Sequence, residues 1–133
     1  MYLYKLIANG QVDIIAGIEH ASGYIDGIAY NARFKHLAGI ALDYVNDLLL
    51  IADSKNNKIR KLNIKTGGRY IFFKLFYHYN LFYLYNKEVT TIRWIQNEKK
   101  NSLYYPTAVT YDEKNKIWYI ADQSKIYKLS LLV

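Results

Sequence analysis

Residues 48–62, LLLIADSKNNKIRKL, return in shortened form at residues 118–129 as WYIADQSKIYKL. In both places an apolar run ends in Ala-Asp, crosses a polar turn and enters a short basic segment. The run 48–52 is apolar at every position, β-prone, and bounded by turn formers, VND before it and DSKNN after it. That pattern predicts a strand buried on both faces rather than an alternating, half-exposed one. Aligning Leu37 with Pro106 extends the match without a gap, laying LAGIALDYVNDLLLIAD over PTAVTYDEKNKIWYIAD. Asp43 then falls on Asp112 and Asp53 on Asp122. Two residues are lost beyond that point, where SKNNKIRKLN meets QSKIYKLS. A third copy of the tail, LYKL, stands at residues 3–6, and NGQVDIIAG (9–17) has a partner in EVTTIRW (88–94). Self-similarity of short strands between polar turns predicts a stacked-sheet repeat.

Working outward, GIALD (39–43), LLLIA (48–52) and KIRKL (58–62) read as successive strands, and TAVTYD, IWYIA and KIYKL repeat them. Lys58, Arg60 and Lys61 stud the third strand, which suits an outer edge protected by charge from further pairing. Asp43, Asp53, Asp112 and Asp122 stand at strand ends. There Asp is expected to organise turns by accepting backbone N–H bonds. Gly27 and Gly39 are expected to serve a positive φ or a close backbone approach.

Over residues 9–67 these elements resemble the NHL repeat. The matching positions are Ala16-Gly17, Asp26-Gly27, Ala32-Arg33-Phe34, Gly39-Ile40-Ala41-Leu42-Asp43, Ala52-Asp53 and Asn57. The later copy keeps Pro106, Asp112 and Asp122, has Ala108 in place of Gly39, and lacks the Asp-Gly and Ala-x-Phe elements. The resemblance implies an all-β fold, a β-propeller fragment of about two four-stranded antiparallel blades. Its segments would be residues 1–8, an outer strand of a preceding blade; 9–67, a first NHL blade; 68–87, an atypical aromatic-rich insertion; and 88–133, a second, degenerate NHL blade. Two blades cannot close a ring. The expected cover for their open faces is the rest of a longer propeller or a further copy of the chain.

The insertion GRYIFFKLFYHYNLFYLYNK admits two readings. It is either a distinctive surface element or a translated intron, since cutting it out leaves KLNIKTG-EVTTI, which lies over KLIANGQVDII with one residue of slack. Its apolar length is marginal for a bilayer, and no membrane span is expected.

Composition narrows function more by exclusion. The chain of 133 residues has no cysteine, so disulfides and Cys-based zinc sites are unavailable. His20, His36 and His78 form no spaced ligand set, and no nucleophile motif or phosphate-binding glycine loop is present. No metal, cofactor or catalytic residue is therefore expected, and the chain reads as a non-enzyme. The NHL resemblance implies a scaffold that binds a protein partner. A net charge of +7 and 15 tyrosines keep RNA binding as a second reading. A calcium-dependent propeller hydrolase is a third. The basic excess also follows from a composition rich in Lys, Asn, Ile and Tyr. No secretory signal is visible at MYLYKLIANG, which points to the cytoplasm.

Overall fold

The computed structural model describes residues 2–6, 10–64, 88–92 and 103–131. The segment 68–87, with its two readings, lies outside the described residues. Among the described residues, ten strands form three antiparallel sheets. Strands β1 (Tyr2–Leu6) and β2 (Val12–Gly17) pair as a two-stranded sheet. The central sheet has five strands in the order β3 (Gly27–Ile28), β7 (Glu88–Thr91), β6 (Lys58–Asn63), β5 (Leu48–Asp53) and β4 (Leu37–Asp43). The third sheet is β8 (Ala108–Asp112), β9 (Ile117–Ala121) and β10 (Ile126–Leu129), each paired to the next.

Strand β5 is the axis of the core, and all six of its residues are buried. Leu49 and Ile51 face one way, joining Leu62, Val89 and Phe34 over Leu3, Ile15 and Ala16 of the first sheet. Leu48, Leu50 and Ala52 face the other way, with Ile59, onto Val109, Trp118 and Ile120 of the third sheet. An apolar strand with no alternation is thus what a sheet buried on both faces requires. Each such Leu or Ile contributes roughly 1.5–3 kcal/mol through burial.

The close fit of the central and third sheets depends on Gly39. A Cβ built there would lie 2.7 Å from the Ala108 Cα and 2.8 Å from the Thr107 carbonyl oxygen. Gly27 serves the other expected purpose, with φ at +141°, and Gly17 ends β2 at φ +100°.

Two expectations need revision. The KIRKL strand is not an edge: β6 lies between β5 and β7, and Arg60 is fully buried while Lys58 and Lys61 remain exposed. An inner strand tolerates these charges because Lys58 and Lys61 face solvent and Arg60 has partners beneath the loops. The repeat and the sheets are also out of phase by one strand. Val12–Gly17, at the start of the first repeat, pairs with β1, and Glu88–Thr91, at the start of the second, pairs with β6. Leu6 faces Val12 in one sheet, as Leu62 faces Val89 in the other.

Candidate interaction surface: loops clamped by aspartates

Because β4, β6, β8 and β10 all start at the same end of their sheets, the loops before and between them share that end. They are the segments 18–36, 54–57, 103–107 and 122–125. Each is anchored on a strand-end aspartate. Asp53 Oδ1 accepts the N–H groups of Lys35 (2.9 Å) and His36 (3.2 Å), and its Oδ2 accepts Asn56 Nδ2 at 2.7 Å. In the next sheet Asp122 Oδ2 accepts the Tyr104 N–H at 3.1 Å, and Oδ1 accepts the Ser124 and Lys125 N–H groups at 2.8 Å. At the opposite end Asp43 and Asp112 hold the tight turns after β4 and β8. Asn46 Nδ2 donates to Asp43 Oδ2 at 2.7 Å, and Asn115 Nδ2 to Asp112 Oδ2 at 2.8 Å. All four aspartates therefore organise turns, as their positions suggest.

Burial works against the charged form of Asp122, but the N–H donors of Ser124, Tyr104 and Lys125 and the Tyr127 hydroxyl outweigh it. They hold the carboxyl far below the usual carboxylate range. Asp43 is likewise lowered, burial being overcome by the Asn46 side chain, Tyr111 and the backbone of Asn46 and Val45.

Among the described residues, the largest polar assembly at this end centres on Arg60. Its Nη1 donates to Asp53 Oδ2 at 2.9 Å and to the Arg33 carbonyl at 2.8 Å. Its Nη2 donates to Asp26 Oδ1 and to the Ile25 carbonyl, both at 2.7 Å, and Nε reaches Asp26 Oδ1 at 3.1 Å. Phe34 and Tyr24 present ring faces to the guanidinium, at 5.0 and 5.2 Å from their centroids. The remaining Asp26 oxygen accepts the Thr91 N–H at 2.9 Å. A planar fork with five donors can join one loop to two strands in this way; an ammonium could not.

Neighbouring loops are joined in turn. Asn57, in the left-handed region at φ 54°, accepts the Tyr105 N–H on its Oδ1 at 2.8 Å. The Ser54 hydroxyl donates to the Pro106 carbonyl. Asn56 Nδ2 also donates to the Gly23 carbonyl at 2.8 Å. The loops thus form one connected row across the central and third sheets.

Of the residues singled out in the sequence, Asp26, Phe34, Asp53, Asn57, Pro106 and Asp122 meet in this row. Gly17, Gly27 and Gly39 lie within strands, and Asp43 and Asp112 lie at the far end. The role of Arg60 is not visible in the sequence, because its ligands lie 7 and 34 positions away. One signal could have exposed it: the repeat alignment sets Arg60 on Tyr127 with an aspartate constant nearby. Among the described residues no group of three or more His, Asp or Glu could hold a metal. No helix there is long and apolar enough to cross a membrane.

Sheets packed face to face, with repeated strand order and loops gathered at one end, make the chain part of a β-propeller. Its repeats are of the NHL type. Over 46 residues it is 44% identical to NHL repeat-containing protein 2 of Bos taurus and 41% identical to that of Homo sapiens. Those matches take in 35% of this chain and 6% of either relative, so the chain spans a small part of their length. No protein-family model matches the chain. Among solved structures, a Bacteroides thetaiotaomicron protein of unknown function superposes over 96% of the chain and 29% of its own, with a TM-score of 0.66 at 20% identity. An auxiliary nutrient binding protein of Bacteroides ovatus does so over 97% and 32%, with a TM-score of 0.57 at 18% identity. At these identities the likeness is one of fold.

Proposed function

We propose that the chain is a non-catalytic protein-interaction scaffold and that the aspartate-clamped row of loops is its contact surface. One observation carries this reading. Tyr24, Ile25 and Tyr104 are exposed beside the exposed Lys35, Lys55 and Lys125, on loops fixed from beneath by carboxylates. Amphipathic aromatics on a rigid frame supply contact area at small entropic cost, and the lysines favour an acidic partner surface.

The test places a photocrosslinking residue at Tyr104 and, as control, at Tyr44, which is exposed on a turn at the opposite end. Discrete protein adducts from position 104 and none from 44 are expected. Equal labelling from both ends would overturn the assignment. Salt-dependent binding of single-stranded RNA, lost in both Tyr104→Ala and Lys55→Ala, would replace it with the nucleic-acid reading.

A further inference from the structure

Three strands carry the same tail: Leu3-Tyr4-Lys5-Leu6, Lys58-Ile59-Arg60-Lys61-Leu62 and Lys125-Ile126-Tyr127-Lys128-Leu129. In the first two cases a further strand pairs alongside, β2 with β1 and β7 with β6, in the same register. In the third case, among the described residues, β10 is the edge of its sheet. The apolar residue that opens the tail follows the same division. Leu3 is 7% exposed under the central sheet and Ile59 is 0% exposed under the third sheet, while Ile126 is 76% exposed.

We propose that a second copy of this chain completes the third sheet, its β2 pairing with β10 in place of its own β1. The register of the existing pairs sets the new one: Leu129 opposite Val12 and Lys128 opposite Asp13. Opposite charges at directly facing positions favour that alignment. The connection that follows β2 then brings the second copy's central sheet over Ile126, as it already lies over Leu3 within one chain. Strands β2 and β4 to β10 amount to two four-stranded blades per copy, with β1 displaced. The contact is heterologous, so copies add head to tail and close if the rotation allows. With about four to eight blades per propeller, the closed forms contain two to four copies.

The test is sedimentation velocity of the full chain across a wide concentration range. Wild type is expected to associate reversibly into such closed forms. Because β1 and β10 compete for β2, the charge variants separate exchange from simple damage. Lys128→Asp faces Asp13 only in the assembly and is expected to weaken association several-fold. Asp13→Lys opposes Lys5 within the chain and Lys128 between chains alike, so its effect is expected to be small. The double variant K128D/D13K favours the intermolecular pair alone and is expected to associate more tightly than wild type. Ile126→Lys, at a position exposed in the single chain, is expected to weaken association at least tenfold while leaving the circular dichroism spectrum unchanged. A monomer at every concentration overturns the proposal. So does a double variant no tighter than K128D.

Discussion

Arg60 and Tyr127 occupy the same position in successive sheets and donate to the strand-end aspartate of their own sheet at the same distance. Arg60 Nη1 meets Asp53 Oδ2 at 2.9 Å, and the Tyr127 hydroxyl meets Asp122 Oδ2 at 2.9 Å. The aspartate is kept and its donor changes. In the central sheet a cation is needed because the same side chain must also hold Asp26 and two carbonyls. The third sheet has no described counterpart of Asp26, and a neutral hydroxyl suffices.

Replacing Arg60 by Ala leaves the fully buried Asp53 without its cation. The expected loss is about 3–5 kcal/mol, read from urea denaturation. Arg60→Lys should recover little of it, since one ammonium cannot match the forked geometry. A Lys variant as stable as wild type would show that charge alone matters here.

Gly39→Ala should cost roughly 1–3 kcal/mol, because its Cβ meets backbone atoms of β8 that cannot move without parting the sheets. Gly23→Ala is the control: its Cβ would meet the Arg33 Cβ at 3.5 Å and Cγ at 3.9 Å, both ordinary contacts. Melting temperatures of the two variants should therefore differ clearly, with Gly39→Ala the lower.

Acid should loosen the loop row through Asp122. Its folded-state pKa is depressed, so its contribution is fully present above the unfolded value of about 3.9 and is lost as pH falls toward the folded value. Denaturant midpoints are expected to hold from pH 7 to 5 and to drop below pH 4. Asp122→Asn should be less stable at pH 7 and show a shallower fall. Parallel profiles for the two proteins would assign the acid sensitivity elsewhere.

Deleting residues 68–87 should leave the central sheet intact. The deletion joins Gly67 to Glu88 and leaves a connection of ordinary hairpin length between β6 and β7, whose register matches that of β1 with β2. The expected outcome is an unchanged strand signal in circular dichroism and equal or higher stability. Complementary DNA sequenced across codons 60–95 tests the intron reading separately.

Local pattern made most of the fold legible. Strand β5 announced itself because both of its faces are buried, and the aspartates did so because turn chemistry is local to a few residues. Strand β6 misled for the converse reason. Lys58 and Lys61 face solvent, yet the position of their strand is set by β7, which follows across an intervening stretch of sequence. The exposed aromatics of the loop row could not be told from core aromatics by type. Burial of Phe34 and exposure of Tyr24, both against one guanidinium, depend on how the loop folds over Arg60.

The one-strand offset between repeat and sheet bears on how such a chain grows. Each repeat lends its first strand to the sheet before it, so no unit closes its own hydrogen-bond ladder. Duplicating a unit of DNA that spans one repeat then inserts a whole sheet into the row, with every pairing restored, wherever within the repeat the recombination falls. Lengthening is conservative in the interior, and it changes only how many sheets separate β1 from β10.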